Sequence, residues 1–285
     1  MKGMIAMNAL EIKNLCKSYG EFSLDNINLT LPCGCITGLI GENGAGKSTV
    51  IKLILDMIHR DSGTITLFGK DSVQSFPASK EDIGIVPDEI GLPGCLTVKQ
   101  VDKIMRLTFK NWDSAVFFDY IKKFDIPESK PFKDFSRGTK MKTGIAIALS
   151  HNAKLLILDE ATNGLDPVVR DEVVDMLCDF TRDESHSILI SSHIVSDLEK
   201  ICDYIAFLHK GKLLMCEEKD RLYEEYGIIR CDLAVFKYIP AHSVIGKKST
   251  PYGTEAIVKR ADVPENIEIF PINIEELFIF MVKEN

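Results

Sequence analysis

Residues 41–49 carry the residue types and the spacing that bind a polyphosphate. They are Gly41, Glu42, Asn43, Gly44, Ala45, Gly46, Lys47, Ser48 and Thr49. The stretch fits a pattern of glycine, four free positions and then Gly-Lys-Ser/Thr, whose glycines direct backbone N–H groups into one concavity. Lys47 then reaches the β- and γ-phosphates, and Ser48 directs a hydroxyl at Mg²⁺. The stretch therefore predicts a phosphate-binding loop; a glycine-rich turn that matches by chance is the alternative.

Two carboxylates end an apolar run farther along the chain. Residues 155–160 read Leu-Leu-Ile-Leu-Asp-Glu, a pattern typical of a buried parallel strand whose C-terminal end meets solvent. Ligands of open α/β sheets bind at that edge. Asp159 is expected to hold Mg²⁺ directly or through water, and Glu160 to polarise an attacking water as general base. An ordinary strand followed by acidic loop residues is the alternative.

The residues around the loop predict the elements that must hold it. Residues 36–40 read Ile-Thr-Gly-Leu-Ile, which indicates a buried strand leading in, and Ile51, Ile54, Leu55 and Ile58 recur at helical spacing after it. The loop is thus expected between a strand and the N-terminus of a helix. The helix dipole favours anions at that position.

Length, net charge and cysteine usage limit the classes of protein to which the chain can belong. The chain has 285 residues, 45% of them hydrophobic, enough for one large α/β domain with an appendage or for two small domains. Its formal net charge of −8 argues against nucleic-acid binding, which needs a basic face. No Cys-x-x-Cys pair, secretory signal or apolar run of ~20 residues occurs, so we expect a soluble cytosolic chain with reduced thiols.

Four further segments give the sequence a resemblance to a known family. In chain order they are Tyr19, the Phe-Ser-Arg-Gly-Thr of residues 135–139, the Ala-Thr-Asn-Gly-Leu-Asp-Pro of residues 161–167, and a strand-like run ending at His193. With the loop and the paired carboxylates, this order resembles an ATP-binding-cassette (ABC) ATPase, the nucleotide-binding subunit of a transporter. The resemblance covers residues from about 8 to 218. The ordered set is far more specific than any one motif.

The resemblance implies a role for each of these segments. Tyr19 stacks on adenine, His193 contacts the γ-phosphate as the switch histidine, and Asp166 holds the aspartate position of the D-loop. Ser136 and Gly138 belong to the signature segment, which caps the γ-phosphate of ATP held by a partner subunit. Each residue keeps a simpler alternative: Tyr19 as a surface aromatic, His193 as a satisfied histidine at a strand end, and Asp166 as the cap of the following helix.

Four positions depart from the family pattern, and one of them is Ala161, which replaces the usual proline after the paired carboxylates. Arg137 and Thr139 replace the first glycine and the glutamine of the Leu-Ser-Gly-Gly-Gln signature, and Asp88 stands at the glutamine of the Q-loop. Arg137 either adds charge toward the phosphate or points to solvent. Asp88 can still bind Mg²⁺ or water but lacks an amide donor. These changes bear on the coupling between ATP and partner rather than on ATP binding.

The resemblance also predicts the architecture. We expect an α/β P-loop NTPase (RecA-like) core with an antiparallel β subdomain and an inserted helical subdomain at about 92–150, all within an ABC ATPase domain of residues 8–218. Thr97 or Asp102 is expected to cap a helix of that insertion. Residues 219–285 would form a small α/β C-terminal extension like that of bacitracin-export and acetoin-utilisation-type ATPases. There Asn273 is expected to cap the last helix.

The function implied by the resemblance is that of an ATP-binding and ATP-hydrolysing transporter subunit. Two copies, or this chain and a related ABC ATPase, would sandwich ATP and Mg²⁺ and power a separate polytopic membrane permease from its cytoplasmic face. The protein would then be peripheral on the inner face of the cell membrane. A soluble ABC ATPase without a transport role and a weakly hydrolysing regulatory subunit are the alternatives.

Overall fold

The computed structural model describes residues 8–72, 80–251 and 253–284. Within them the strands are β1 (Asn8–Tyr19), β2 (Phe22–Pro32), β3 (Ile36–Ile40), β4 (Ser62–Leu67), β5 (Lys70–Asp71), β6 (Ile83–Val86), β7 (Leu155–Asp159), β8 (Ser187–Ser192), β9 (Tyr204–His209), β10 (Lys212–Glu218), β11 (Tyr226–Cys231), β12 (Val244–Thr250) and β13 (Gly253–Lys259). The α-helices are α1 (Lys47–Ile54), α2 (Val98–Thr108), α3 (Ser114–Lys123), α4 (Arg137–Leu149), α5 (Pro167–Phe180), α6 (Val195–Ile201), α7 (Lys219–Glu225), α8 (Leu233–Phe236) and α9 (Ile274–Glu284). Short 3₁₀ helices span Lys80–Asp82, Phe132–Asp134, Ala241–Ser243 and Arg260–Asp262.

A six-stranded sheet in the order β10-β9-β3-β8-β7-β6 forms the centre of the molecule. All of its strands are parallel except the edge strand β10, which pairs antiparallel with β9. Every residue of β3 and of β8 is buried, because helices or a second sheet cover both faces. The strands predicted before the loop and before the paired carboxylates are β3 and β7, and both predictions are confirmed.

The two faces of the central sheet pack against different layers. Along β7, Leu155 and Ile157 join the core beneath α1 and the antiparallel sheet β2-β1-β4-β5, whereas Leu156 and Leu158 join the core beneath the other helices. This alternation follows from the two-residue period of a strand. The predicted antiparallel β layer is confirmed.

Helices α2, α3 and α4 fill the predicted insertion, and the residues before them cap them. The backbone N–H of Thr97 donates to Gln100 Oε1 at 2.9 Å in a capping box at the start of α2. Asp102 lies inside α2, where its Oδ1 accepts from Trp112 Nε1 at 2.9 Å and from the Ser114 hydroxyl at 2.6 Å. The prediction of Thr97 as a cap is thus confirmed and the alternative, Asp102, is wrong.

The C-terminal residues share a core with the rest of the chain. They contain a three-stranded antiparallel sheet in the order β11-β13-β12 and the helix α9. The ring of Phe278 on α9 lies 5.2 Å from that of Phe207 on β9, centroid to centroid. Asn273 Oδ1 accepts from the backbone N–H of Glu276 at 2.8 Å, which confirms the predicted cap. Strand β10 ends at Glu218; the domain boundary after that residue stays a prediction.

No helix within residues 8–72, 80–251 and 253–284 combines the length and the apolar composition needed to cross a bilayer.

Candidate active site

The glycine-rich loop fits closely between its neighbours. Gly46 has φ 113°, in the left-handed region that favours glycine, and α1 begins at the next residue. A Cβ on Gly41 would lie 2.5 Å from the carbonyl oxygen of Leu208 on β9, and one on Gly46 would lie 2.7 Å from Leu24 Cδ2. Both positions therefore require glycine, one for close backbone approach and the other for backbone conformation.

Lys47 is the first residue of α1, and its ammonium is fixed by three oxygens. Its Nζ donates to the backbone oxygens of Gly41 at 2.7 Å and Glu42 at 3.3 Å, and it lies 3.0 Å from Glu160 Oε1. The side chain is only 5% exposed. Burying an ammonium is costly unless it is paired and hydrogen-bonded, and here it is both. The loop therefore holds one positive charge at a defined position.

The carboxyl ends of β7 and β8 place two carboxylates and a histidine together. Glu160 Oε2 lies 2.7 Å from His193 Nδ1, while the other oxygen of this carboxylate faces Lys47. Asp159 Oδ1 accepts from the Ser191 hydroxyl at 2.6 Å. The backbone N–H of Glu160 donates to the Ser191 carbonyl at 3.1 Å, which joins the two strand ends. A carboxylate between a cation and an imidazole suits a general base.

A cavity of about 460 Å³, called here the nucleotide cavity, opens in front of this cluster. It is lined by Phe22, Glu42, Asn43, Gly44, Gly46, Lys47, Ser48, Thr49, Asp88, Glu160 and Asn163. Its volume lies in the range of small-molecule sites. Most of the predicted loop residues thus meet Asp88 and Glu160 in one place, although Asp88 lies about 40 and Glu160 more than 100 positions farther along the chain.

Two lining residues were not predicted. Phe22 begins β2, whereas the aromatic role was predicted for Tyr19, three positions earlier. Asn163 belongs to the segment after Glu160, where the sequence predicts a role only for Asp166. Tyr19 does not line this cavity: it is 46% exposed, and the Lys17 ammonium lies 5.2 Å from its ring centroid. The role of Tyr19 as an adenine platform stays a prediction.

The signature segment lies apart from the nucleotide cavity of its own subunit. Ser136 is the N-cap of α4, and its Oγ accepts from the Thr139 N–H at 3.1 Å. A Cβ on Gly138 would lie 3.2 Å from Val169 Cγ1, so α4 begins close to the start of α5. Asp166 Oδ1 caps α5 by accepting from the Val169 N–H at 3.1 Å. Ser136, Gly138 and Asp166 therefore lie close together at the starts of α4 and α5, and none of them lines the nucleotide cavity.

Two of the departures from the family pattern contact each other. Arg137 Nη2 donates to Asp88 Oδ1 at 2.7 Å, and both side chains are about half exposed. The sequence left two orientations open for the Arg137 side chain, one toward phosphate and one toward solvent. Its contact with Asp88 matches neither of them. Asp88 remains in the wall of the nucleotide cavity.

The donor set fits Mg²⁺ held together with a polyphosphate. Within the described ranges, no cluster of three or more histidine, cysteine, aspartate or glutamate side chains could enclose a metal by itself. Mg²⁺ does not need such a cage, since it is usually bound by one or two carboxylates, substrate phosphates and water. Ser48 and Asp88 line the nucleotide cavity, and Asp159 ends the strand next to it.

The fold and the site together define a class of protein. A glycine loop between a parallel strand and a helix, with two carboxylates at the carboxyl end of a strand two places away in the same sheet, is the arrangement of a P-loop NTPase. The comparisons with known proteins specify the class further. The family model described as ABC transporter matches residues 24–163.

Relatives and solved structures agree with this match. The ABC transporter ATP-binding protein YtrB of Bacillus subtilis (strain 168) is 30% identical over 287 residues, covering 95% of this chain and 97% of YtrB. The bacitracin transport ATP-binding protein BcrA of Enterococcus faecalis is 33% identical, covering 79% of this chain and 76% of BcrA. A solved structure of an ATP-binding subunit of an ABC transporter superposes with a TM-score of 0.66 at 25% identity, covering 75% of this chain and 91% of that one.

The chain belongs to the ABC family of transporter ATP-binding proteins. It is an ATP-binding and ATP-hydrolysing subunit of the transporter-coupled type, as the sequence predicted. The predicted fold class, a P-loop NTPase core with added β and helical parts and a C-terminal extension, is confirmed.

Proposed function

We propose that this chain hydrolyses MgATP at the interface of two cassettes and so drives a separate polytopic permease from the cytoplasmic face of the membrane. The observation that carries the proposal is the position of Glu160, with one carboxylate oxygen 3.0 Å from Lys47 Nζ and the other 2.7 Å from His193 Nδ1. A base held between a phosphate-binding cation and an imidazole is placed for water attack on a γ-phosphate.

The chemistry follows from these three side chains. Glu160 accepts a proton as the water oxygen forms a bond to the γ-phosphorus, and the bond between that phosphorus and the β–γ bridging oxygen breaks. The products are ADP and inorganic phosphate. Lys47 stabilises the negative charge on the β- and γ-phosphoryl oxygens, because its ammonium is preorganised and largely shielded from water. His193 contacts the γ-phosphate and orients Glu160.

Ser48, Asp159 and Asp88 are the proposed Mg²⁺ ligands, directly or through water. The ion would neutralise charge that develops on the transferred phosphoryl group. Ser191 keeps Asp159 in place through the 2.6 Å hydrogen bond. The oxygen of Asp88 that Arg137 contacts is Oδ1, which leaves Oδ2 for the metal or for water.

A second cassette, either another copy of this chain or a related ABC ATPase, would complete the site. Ser136 and Gly138 lie at the N-terminus of α4, where backbone N–H groups and the helix dipole favour an anion. They are absent from the wall of the cavity in their own subunit. This supports a role in capping ATP held by the partner, with Asp166 and its segment between the two sites.

The dimer is tested with a charge introduced into the signature segment. Glu160→Gln should form an ATP-dependent dimer in light scattering, because bound ATP is no longer hydrolysed. Adding Ser136→Arg should abolish that dimer by steric and charge conflict while ATP still binds the monomer. Ser129→Arg, at an exposed serine between α3 and α4, is the matched control and should leave the dimer intact.

A Ser136→Arg protein that still forms the ATP-dependent dimer would contradict the sandwich. The permease is tested separately by pull-down of the native complex and identification of its membrane component. Recovery of a polytopic membrane protein is expected, and the recovery of soluble partners alone would favour an ABC ATPase without a transport role.

A further inference from the structure

The contact between Arg137 and Asp88 joins two segments that lie far apart in the chain. Asp88 follows β6, and Arg137 is the first residue of α4. Their Nη2 to Oδ1 distance of 2.7 Å is that of a charge-assisted hydrogen bond. The pair therefore ties the loop after β6 to the start of the signature helix within one subunit.

Asp88 stands between two cavities. It lines the nucleotide cavity, and it also lines a second cavity of about 350 Å³. The lining of the second cavity consists of Asp88, Glu89, Ile90, Arg137, Lys140 and Met141. Arg137 thus contacts Asp88 from the second cavity and does not line the nucleotide cavity.

The guanidinium of Arg137 also reaches the segment before α5. A Cβ on Gly164 would lie 3.3 Å from Arg137 Cζ and 3.3 Å from its Nη1. One side chain therefore touches the loop after β6, the signature helix and the segment that leads to Asp166. Any movement of one of these segments changes the contacts of the same guanidinium.

The charges around the nucleotide cavity indicate what the contact between Arg137 and Asp88 does. ATP brings several negative charges into a cavity whose wall already contains the carboxylates of Glu42, Asp88 and Glu160. Lys47 lies against Glu160, and Arg137 lies against Asp88. An unpaired carboxylate at Asp88 would repel the phosphates, and the repulsion would be only partly screened in a site walled by protein.

We propose that Arg137 is a positioning residue that offsets the charge of Asp88 and so permits an aspartate to stand in the wall of the ATP site. The inference rests on the proposed function, since it requires the γ-phosphate to lie near Asp88. Arg137 thus acts on Asp88 of its own subunit and does not contact ATP.

A double-mutant cycle tests the proposal. The dissociation constant of the non-hydrolysable analogue AMP-PNP is measured by calorimetry for the full chain, in EDTA and without Mg²⁺, so that the proposed role of Asp88 as a metal ligand does not enter. Arg137→Ala should weaken binding about tenfold, whereas Asp88→Asn should change this metal-free binding less than about threefold, because it leaves no uncompensated carboxylate. The double variant Arg137→Ala/Asp88→Asn should return to within about threefold of the unmodified chain, because no uncompensated carboxylate remains.

Two further measurements distinguish charge from packing. Arg137→Lys keeps the cation and should lose less affinity than Arg137→Ala. The deficit of Arg137→Ala should shrink as ionic strength rises, because salt screens the exposed carboxylate. Thermal unfolding of each variant confirms that it is folded.

A double variant that binds as poorly as Arg137→Ala would overturn the proposal, since the loss would then come from the contact with Gly164 or from packing. Unchanged affinity in Arg137→Ala would overturn it as well. Lys47→Ala is the reference for the site itself: if that variant still binds AMP-PNP, the proposed nucleotide site is wrong. Loss of binding in Lys47→Ala without rescue in the double variant rejects only the role of Arg137.

Discussion

The phosphate-binding loop and the aromatic hairpin contribute different kinds of residue to the nucleotide cavity. At the loop end, Lys47 is 5% exposed and fixed by Gly41, Glu42 and Glu160. At the aromatic end, defined here as the tip of the β1–β2 hairpin with Tyr19 and Phe22, the rings are partly or largely exposed, and of the two only Phe22 lines the cavity. The loop end recognises charge and geometry through fixed atoms, whereas the aromatic end offers surfaces on which a base can stack.

The aromatic end has its own internal arrangement. Tyr19 and Phe22 are cross-strand neighbours at the end of the β1–β2 hairpin, separated by two residues. Phe22 packs over the loop, because its Cζ would lie 2.8 Å from a Cβ at Gly46. The hairpin therefore places Phe22 in the cavity wall, whereas Tyr19 lies outside that wall with its ring exposed. The difference between the two ends predicts strong selection for phosphates and weak selection for the base.

The largest effect is expected at the loop end. Lys47→Ala should weaken ATP binding by at least about a hundredfold, or ~2.7 kcal/mol, because Glu160 loses its cation and the phosphates lose theirs. Equilibrium binding of ATP measures the loss. Lys52→Ala, at an exposed lysine of the same helix, is the control and should bind as the unmodified chain does. Equal affinities for the two variants would mean that the loop is not the phosphate site.

A smaller effect is expected at the aromatic end. Tyr19→Ala and Phe22→Ala should each weaken ATP binding by about tenfold or less, since a stacked base contributes roughly 1–3 kcal/mol. MgGTP should compete with MgATP to within about tenfold, because every base has a face that stacks. Tyr238→Ala, at an exposed tyrosine outside the cavity, is the control.

The ATP affinities of the two alanine variants also show which ring contributes more to binding. A larger loss for Phe22→Ala would make Phe22 the main platform and Tyr19 an edge residue, and the reverse would support the role predicted for Tyr19. Discrimination against GTP beyond about a hundredfold would contradict the comparison, since it would require polar groups that read the base edge.

Local pattern was enough to predict the parts of the site that the backbone builds. The loop, the strand before it and the helix after it are contiguous, and β7 has the apolar run of a buried strand. Because the carboxyl ends of parallel strands share one edge, Glu160 and His193 could be expected near the loop. The cap at Asn273 followed from residue type and spacing.

What could not be predicted depends on contacts between distant side chains. Arg137 and Asp88 are 49 positions apart, and neither residue type implies the other. The resemblance pointed to Tyr19 alone, whereas the position of Phe22 in the cavity wall depends on its packing over Gly46, which the sequence does not show. Strand β12 contains Lys247, Lys248 and Ser249 in succession, a polar run without the alternation that indicates a strand.

The turnover of Glu160→Gln tests the central claim most directly. An amide cannot accept the proton of the attacking water, yet it preserves the shape of the side chain between Lys47 and His193. We predict that steady-state ATP hydrolysis falls by about 10²–10⁴-fold while the dissociation constant for ATP stays within about threefold of the unmodified chain. Near-normal turnover would contradict the account, because the water would then be activated by a residue other than Glu160.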